Sequence, residues 1–239
     1  MNLQDVFTAL TYGELKSLSL GNFSTDDYES KPDPLNYAQI MSHITLGLTE
    51  LHKRFWLRTE ELYIQQYAHI QIYNLTWPYA ATNTASTETY KYILDTVNNP
   101  FTDNVLKVEE CYNEIGELLV LNNSTDDESL FTPTFRSIQV PNPVSANVLA
   151  VQYRADHPKL EYVKGMNPAD IDIALPRGLL EALLYYVAMR NFSGLNTDDN
   201  HEGNNYLKKF DASCAQYKLE GLNIQPEMEN SNFDARGWV

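Results

Sequence analysis

The residues in this chain best suited to chemistry are five histidines, two cysteines and 32 carboxylates. Local spacing assembles none of them into a reactive centre. No G-x-S-x-G, H-E-x-x-H, G-x-x-x-x-G-K-[ST], G-x-G-x-x-G or C-x-x-C is present, so nucleophile elbows, zinc-protease helices, phosphate loops and dithiol motifs are not signalled. His43, His52, His69, His157 and His201 are scattered, and the first two lie too far apart and too rotated on one helix to share a metal. Asp198-x-Asn200-x-Glu202-Gly203 imitates the start of a calcium loop but offers Lys209 where a bidentate glutamate is required. Asn122–Ser129, NNSTDDES, reads as a solvated loop. Cys111 and Cys214 are far apart in no metal-like spacing, as expected of ordinary buried thiols in a reducing compartment. Two remote acids could still pair for glycoside hydrolysis, but the residues single out no pair. The expectation is a protein that is not an enzyme and has neither metal nor cofactor.

Two aromatic and cationic clusters suggest binding instead. LTELHKRFWLR gathers Lys53, Arg54 and Arg58 beside Phe55 and Trp56 at the end of a long helical pattern, three of 17 cations in the chain. Such cations complement a helix C-terminus, and with aromatics they also suit a contact with an acidic neighbouring subunit. The second cluster is NSNFDARGWV, where a polar stretch from Asn223 onward turns to Phe233, Arg236 and Trp238. Either Trp238 tucks against its own domain, or these residues anchor another protein, since Trp and Arg dominate interface hot spots.

The elements that must position these groups follow from periodicity. Leu3, Val6, Phe7 and Leu10 have helical spacing, and a second short helix is expected over Gly13 to Leu20, stopped by Gly21. NFSTDDYESKPDP reads as a loop, with Asp33-Pro34 opening the next element. Met41, Ile44, Leu48, Leu51 and Phe55 form one stripe of a long helix. After Arg58 the period changes: ELYIQQYAHIQIYNL, VLKVEECY, ELLVLN, FRSIQV and NVLAVQYR are strand-like runs, with Asn113-Glu114-Ile115-Gly116 as a hairpin turn. Between Trp77 and Asn104 the signal is weak, and TWPYAATNTAST reads as an exposed loop. Leu175-Pro176 sets the start of a helix with Leu179, Leu180, Leu183, Leu184, Val187 and Ala188 on its apolar face. Tyr206, Phe210, Cys214 and Tyr217 mark a last helix closed by Gly221. The fold class is therefore α+β: a helical bundle built from both chain ends (1–58 and 169–222), an inserted antiparallel β domain (59–168) and an extended C-terminal arm (223–239).

Composition limits the partners. With 239 residues, 43% hydrophobic, the chain can bury a real core, and 16 Tyr against 9 Phe suits surfaces that are wet at one time and buried at another. A formal charge of −15 excludes a sequence-specific DNA binder, which needs clustered cations on phosphates. An acidic lumen could still let DNA slide past without sticking. The start, MNLQDVFTALTYGEL, lacks a cationic region ahead of an apolar run, and LLEALLYYVAM is too short to span a bilayer, so no membrane partner is expected.

An ordered set of segments carries a family likeness: LTYGELKSLSLG near the start, LTELHKRFWLR, strands leading into VQYRADHP, IALPRGLLEALLYYVAMR, and NFDARGWV. In these the chain resembles the head-to-tail adaptor (connector) proteins of short-tailed phages, over most of its length. Trp77 to Asn104 has no counterpart in that pattern. The resemblance implies a homo-oligomeric ring, commonly of twelve copies, beneath the portal protein. Its helical part would surround the channel, its β part would face a tail nozzle or tube protein, and genomic DNA would pass through. The location implied is the virion head-tail junction, after synthesis in the host cytoplasm. The portal contacts carried over are Phe233, Asp234, Arg236, Gly237, Trp238 and Val239. An arm of that kind orders on binding and covers much surface with few residues, and Gly237 frees the backbone to aim Trp238. Two other readings stay open: a tail-associated host-surface or glycan-binding module stacking sugars on Trp77, Tyr79 and Tyr90, and a tail hydrolase.

Overall fold

A computed structural model describes residues 1–15, 34–193 and 201–221. Within them the chain is mixed α and β, with four α-helices and an antiparallel sheet. It divides into two compact units, the described parts of Met1–Trp56 with Pro158–Val239, and Leu57–His157.

The first unit is helical. Helix α1 (Leu3–Tyr12) is started by a capping box: Asn2 Oδ1 accepts from the Asp5 N–H at 2.9 Å, and Asp5 Oδ2 accepts from the Asn2 N–H at 3.1 Å. Two donors that a helix start leaves orphaned are thereby satisfied. Leu3, Val6, Phe7 and Leu10 are buried as their spacing requires. The Leu3 N–H donates to the Ile171 carbonyl (2.8 Å) and the Ile173 N–H to the Met1 carbonyl (2.7 Å), tying the start of the chain to a segment from its second half. Pro34 opens a short 3₁₀ turn that leads into α2 (Tyr37–Arg54), which buries Ile40, Met41, Ile44, Leu48 and Leu51 along one stripe. Residues 13–15 turn away from α1, and the rest of the helix expected over 13–20, with the loop after it, lies outside the described residues.

Helix α3 (Leu180–Ser193) packs against α2 and α4 (His201–Leu219). It continues directly from a 3₁₀ turn, Arg177–Leu179, whose N-cap is the extended Pro176, so the helical segment starts where Leu175-Pro176 placed it. Gly47 marks where α2 and α3 touch: a Cβ there would stand 2.7 Å from Leu183 Cδ1 and 3.0 Å from Tyr186 Cδ1. The close approach offsets the roughly 1 kcal/mol that a mid-helix glycine costs relative to alanine.

The second unit holds the strands. β1 (Thr59–Gln65), β3 (Val105–Tyr112), β4 (Leu118–Leu119) and β6 (Val148–Ala155) form one antiparallel sheet in the order β1-β6-β3-β4. β2 (Ile72–Asn74) and β5 (Ser137–Gln139) form a separate ribbon. Alternation along β6 buries Leu149, Val151, Tyr153 and Ala155 on one face, over a core that includes Ile64, Tyr73, Val108, Cys111 and Ile138. Asn113–Gly116 is the turn between β3 and β4, with Gly116 at φ +83°, a conformation that costs glycine little. Residues 158–168, expected with the strands, form none and group with the helical unit.

The loop expected over TWPYAATNTAST faces solvent along most of its length, with Ala80 and Asn83 buried. The stretch after it, up to Asn104, carries no periodic signal and is held against the sheet, with Tyr92, Ile93 and Phe101 buried in the β core. The Gln65 N–H donates to the Tyr92 carbonyl (2.9 Å) and the Leu94 N–H to the Tyr63 carbonyl (2.8 Å), so residues 92–94 cover the open edge of β1. Asp95 fastens this excursion at both ends, accepting from the Thr82 N–H (2.8 Å), the Thr82 hydroxyl and the Phe101 N–H (3.0 Å). Burial pushes its carboxyl up, and the bonds from Thr82 and Phe101 more than offset this, holding it below the usual carboxylate range. Asp95→Ala is expected to cost about 2–3 kcal/mol, because charge-assisted hydrogen bonds are lost from a partly buried site. Urea denaturation checks this; a cost below about 0.5 kcal/mol would mean the loop is held by packing alone.

Candidate functional site

The cluster at the end of α2 is largely turned inward. Arg54 bonds Glu50 Oε1 through Nε (3.0 Å) and Asp211 Oδ1 through Nη1 (2.6 Å), and its guanidinium lies 4.5 Å from the centroid of the Phe210 ring. Phe55 is buried, meeting Tyr217 edge-on at 5.2 Å with Lys218 Nζ 5.4 Å from its ring centroid. These two subunit-interface candidates therefore join α2 to α4 within one chain, and the Phe55 ring has no face to offer a neighbour. Lys53 lies 3.8 Å from Glu50 with a side chain 56% exposed. Trp56 is half-buried. Arg58 pairs with Glu60 in the β unit. His52, Lys53 and Arg54 fill the last turn, complementing the helix dipole. The portal-arm candidates Phe233, Asp234, Arg236, Gly237, Trp238 and Val239 lie outside the described residues.

The titratable groups are arranged for support. On the sheet, the Tyr153 hydroxyl is 2.8 Å from Glu60 Oε2 and 3.0 Å from Asn104 Oδ1, while Asn104 Nδ2 donates to the same Glu60 oxygen at 2.9 Å. Glu109 is ion-paired with Arg154 (2.7 Å) across the β3–β6 pair and accepts from Lys107 (2.6 Å) along its own strand. Both cysteines are buried and free; burial, with the Glu110 charge, pushes the Cys111 thiol up to about 12, far from a thiolate nucleophile at neutral pH. Burial and the nearby Arg190 charge lower the pKa of His43, keeping it neutral. Among the described residues, no group of three or more His, Cys, Asp or Glu is placed to hold a metal ion, and no helix is long and apolar enough to cross a membrane.

Buried tyrosines give the β unit a pH dependence. Burial raises the pKa of Tyr73, Tyr92 and Tyr153, the last also through its bond to Glu60. Below the ordinary tyrosine range, folded and unfolded chains both keep these protons; above about pH 10 the unfolded chain releases protons that the folded one retains. Stability should therefore be fully present at neutral pH and decline as pH rises past that point. Denaturation midpoints measured on either side of it check the sign, and Tyr153→Phe should decline less steeply with pH than the parent.

One surface groove on the β unit is aromatic. It encloses about 290 Å³ and is lined by Ile70, Ile72, Asn74, Tyr79, Glu88, Thr89, Tyr90 and Tyr92. The fold thus brings together two of the three stacking candidates, Tyr79 and Tyr90, while Trp77 lies outside the lining. Tyr92 escaped the sequence reading, because only the return of residues 92–94 along β1 carries it under Tyr79.

Compared with known proteins, the chain matches no protein-family model and no curated protein.

Proposed function

We propose that the chain is a structural head-to-tail adaptor of a short-tailed phage. Copies form a ring, twelve by the resemblance, that joins the portal protein above to a tail nozzle or tube protein below. The ring extends the channel through which genomic DNA is retained and ejected. In this reading it acts by assembly and makes or breaks no bond, and its place is the head-tail junction of the virion.

The observation that carries the reading is the combination of chain order and architecture. Segments from both sides of an inserted β unit meet in one helical unit, which is the arrangement the adaptor resemblance implies for a bundle. The excess of 32 acids over 17 cations supports it further, since an acidic lumen repels DNA from all sides and lowers friction. Rings close when a head-to-tail interface repeats through a rotation, and a tyrosine-rich surface suits interfaces that are wet before assembly and buried after it. The interface would use Lys53, Trp56 and Arg58, with Arg54 and Phe55 acting from within. The portal arm would be Phe233 to Val239.

Gold-labelled antibody against the chain, applied to opened virions, locates it by electron microscopy. Label at the collar between capsid and tail is the expected result; label on tail fibres, or none on the particle, would remove the adaptor role.

A further inference from the structure

The aromatic groove of the β unit has a chemistry that a ring adaptor does not itself require. Tyr79 and Tyr92 stack with centroids 4.7 Å apart and planes at 14°. Tyr90 is braced by Tyr67 at 5.0 Å and His69 at 4.6 Å. Rings fixed by neighbours have already lost the freedom that binding would otherwise take from them. Tyr92 is buried and gives one face to Tyr79, so the ring surface open to a ligand is that of the half-buried Tyr79 and the exposed Tyr90. Such faces carry the negative side of the aromatic quadrupole, and the lining contains a carboxylate, Glu88, and no Lys, Arg or His. The Glu88 charge reaches into the groove: after burial and among smaller electrostatic contributions, it raises the pKa of Tyr92. Its backbone N–H is held by the Ser86 hydroxyl at 3.2 Å, and its carboxylate forms no salt bridge among the described residues.

We propose that this groove receives the cationic head of a lysine or arginine side chain presented by a partner protein. A volume of about 290 Å³ is too small for a helix or strand and suits one long side chain. Tyrosine faces beside a carboxylate match such a cation, which gains from the ring quadrupole and the negative charge together. A sugar fits less well, because it needs several free donors and acceptors. The Tyr92 hydroxyl is already committed, accepting from the Asn74 N–H at 2.7 Å and facing the Asn74 carbonyl at 3.1 Å. The chain's charge of −15 also draws cationic partners at long range. The inference is independent of the adaptor role, since any cationic partner would satisfy it.

The test is a titration of the full chain, with its tyrosine rings isotope-labelled for NMR, using N-acetyl-arginine methylamide and N-acetyl-lysine methylamide at constant ionic strength. The citrulline and norleucine analogues serve as neutral controls, and N-acetylglucosamine and maltose as sugar controls. Saturable shifts of Tyr79, Tyr90 and Tyr92 are expected with the cations only, weakened about tenfold in Glu88→Gln, as loss of one electrostatic partner implies. Glu88 is exposed, so the variant should fold, and an unchanged spectrum elsewhere verifies that it does. No shift with either cation, equal shifts with the neutral analogues, shifts with sugars alone, or cation binding unaltered in Glu88→Gln would each overturn the proposal.

Discussion

Phe210→Ala should destabilise the chain by about 3–5 kcal/mol, the range for deleting a buried aromatic side chain. The ring is buried, meets Tyr186 edge-on at 5.3 Å and supports the Arg54 guanidinium at 4.5 Å, so three helices converge on it. Its removal leaves a cavity between α3 and α4 and also frees Arg54 from the surface that orients it toward Asp211. The loss should therefore exceed that of Arg54→Ala, whose ion pairs are partly exposed and so worth about 1 kcal/mol or less. Denaturation followed by far-ultraviolet circular dichroism measures both variants. Leu219→Ala, at a side chain 88% exposed, is the control and should change stability by less than about 0.5 kcal/mol. If Phe210→Ala behaved like that control, α4 would not be packed as described.

The same contacts explain what could be read in advance and what could not. VLKVEECY coincides with β3, and the Met41–Phe55 stripe with the buried face of α2, because period two and period 3.6 are local properties. The inward turn of Arg54 and Phe55 is not local. Their partners Asp211, Phe210, Tyr217 and Lys218 stand far along the chain, the Arg54–Asp211 bond spanning 157 positions. A cation beside an aromatic looks the same in sequence whether it faces a neighbour or its own core. Trp77 to Asn104 was unreadable for a related reason. Its order comes from Ile93 reaching β1 and from Asp95 bonding Thr82 and Phe101, with no repeating pattern between them. The groove was half legible: Tyr79 and Tyr90 advertise aromatic surface, but Tyr92 and Glu88 join them only through that return along the sheet edge. The arm residues Phe233 to Val239 lie outside the described residues, so their role rests on residue types and the adaptor resemblance.

The arm also gives the second large effect. Deleting Trp and Arg hot spots from an interface costs about 2–4 kcal/mol each, or roughly thirtyfold to a thousandfold in affinity. In the proposed ring many arms would engage at once, so the loss would compound across the assembly. Far-ultraviolet circular dichroism of the chain that stops at Asn230, compared with the full chain, separates loss of binding from loss of structure. The decisive measurement is co-sedimentation of purified portal rings with the full chain and with the chain ending at Asn230. The full chain should travel with the rings and the shortened chain should stay behind; equal association of both would contradict the arm as portal anchor, and no association of either would contradict the adaptor itself.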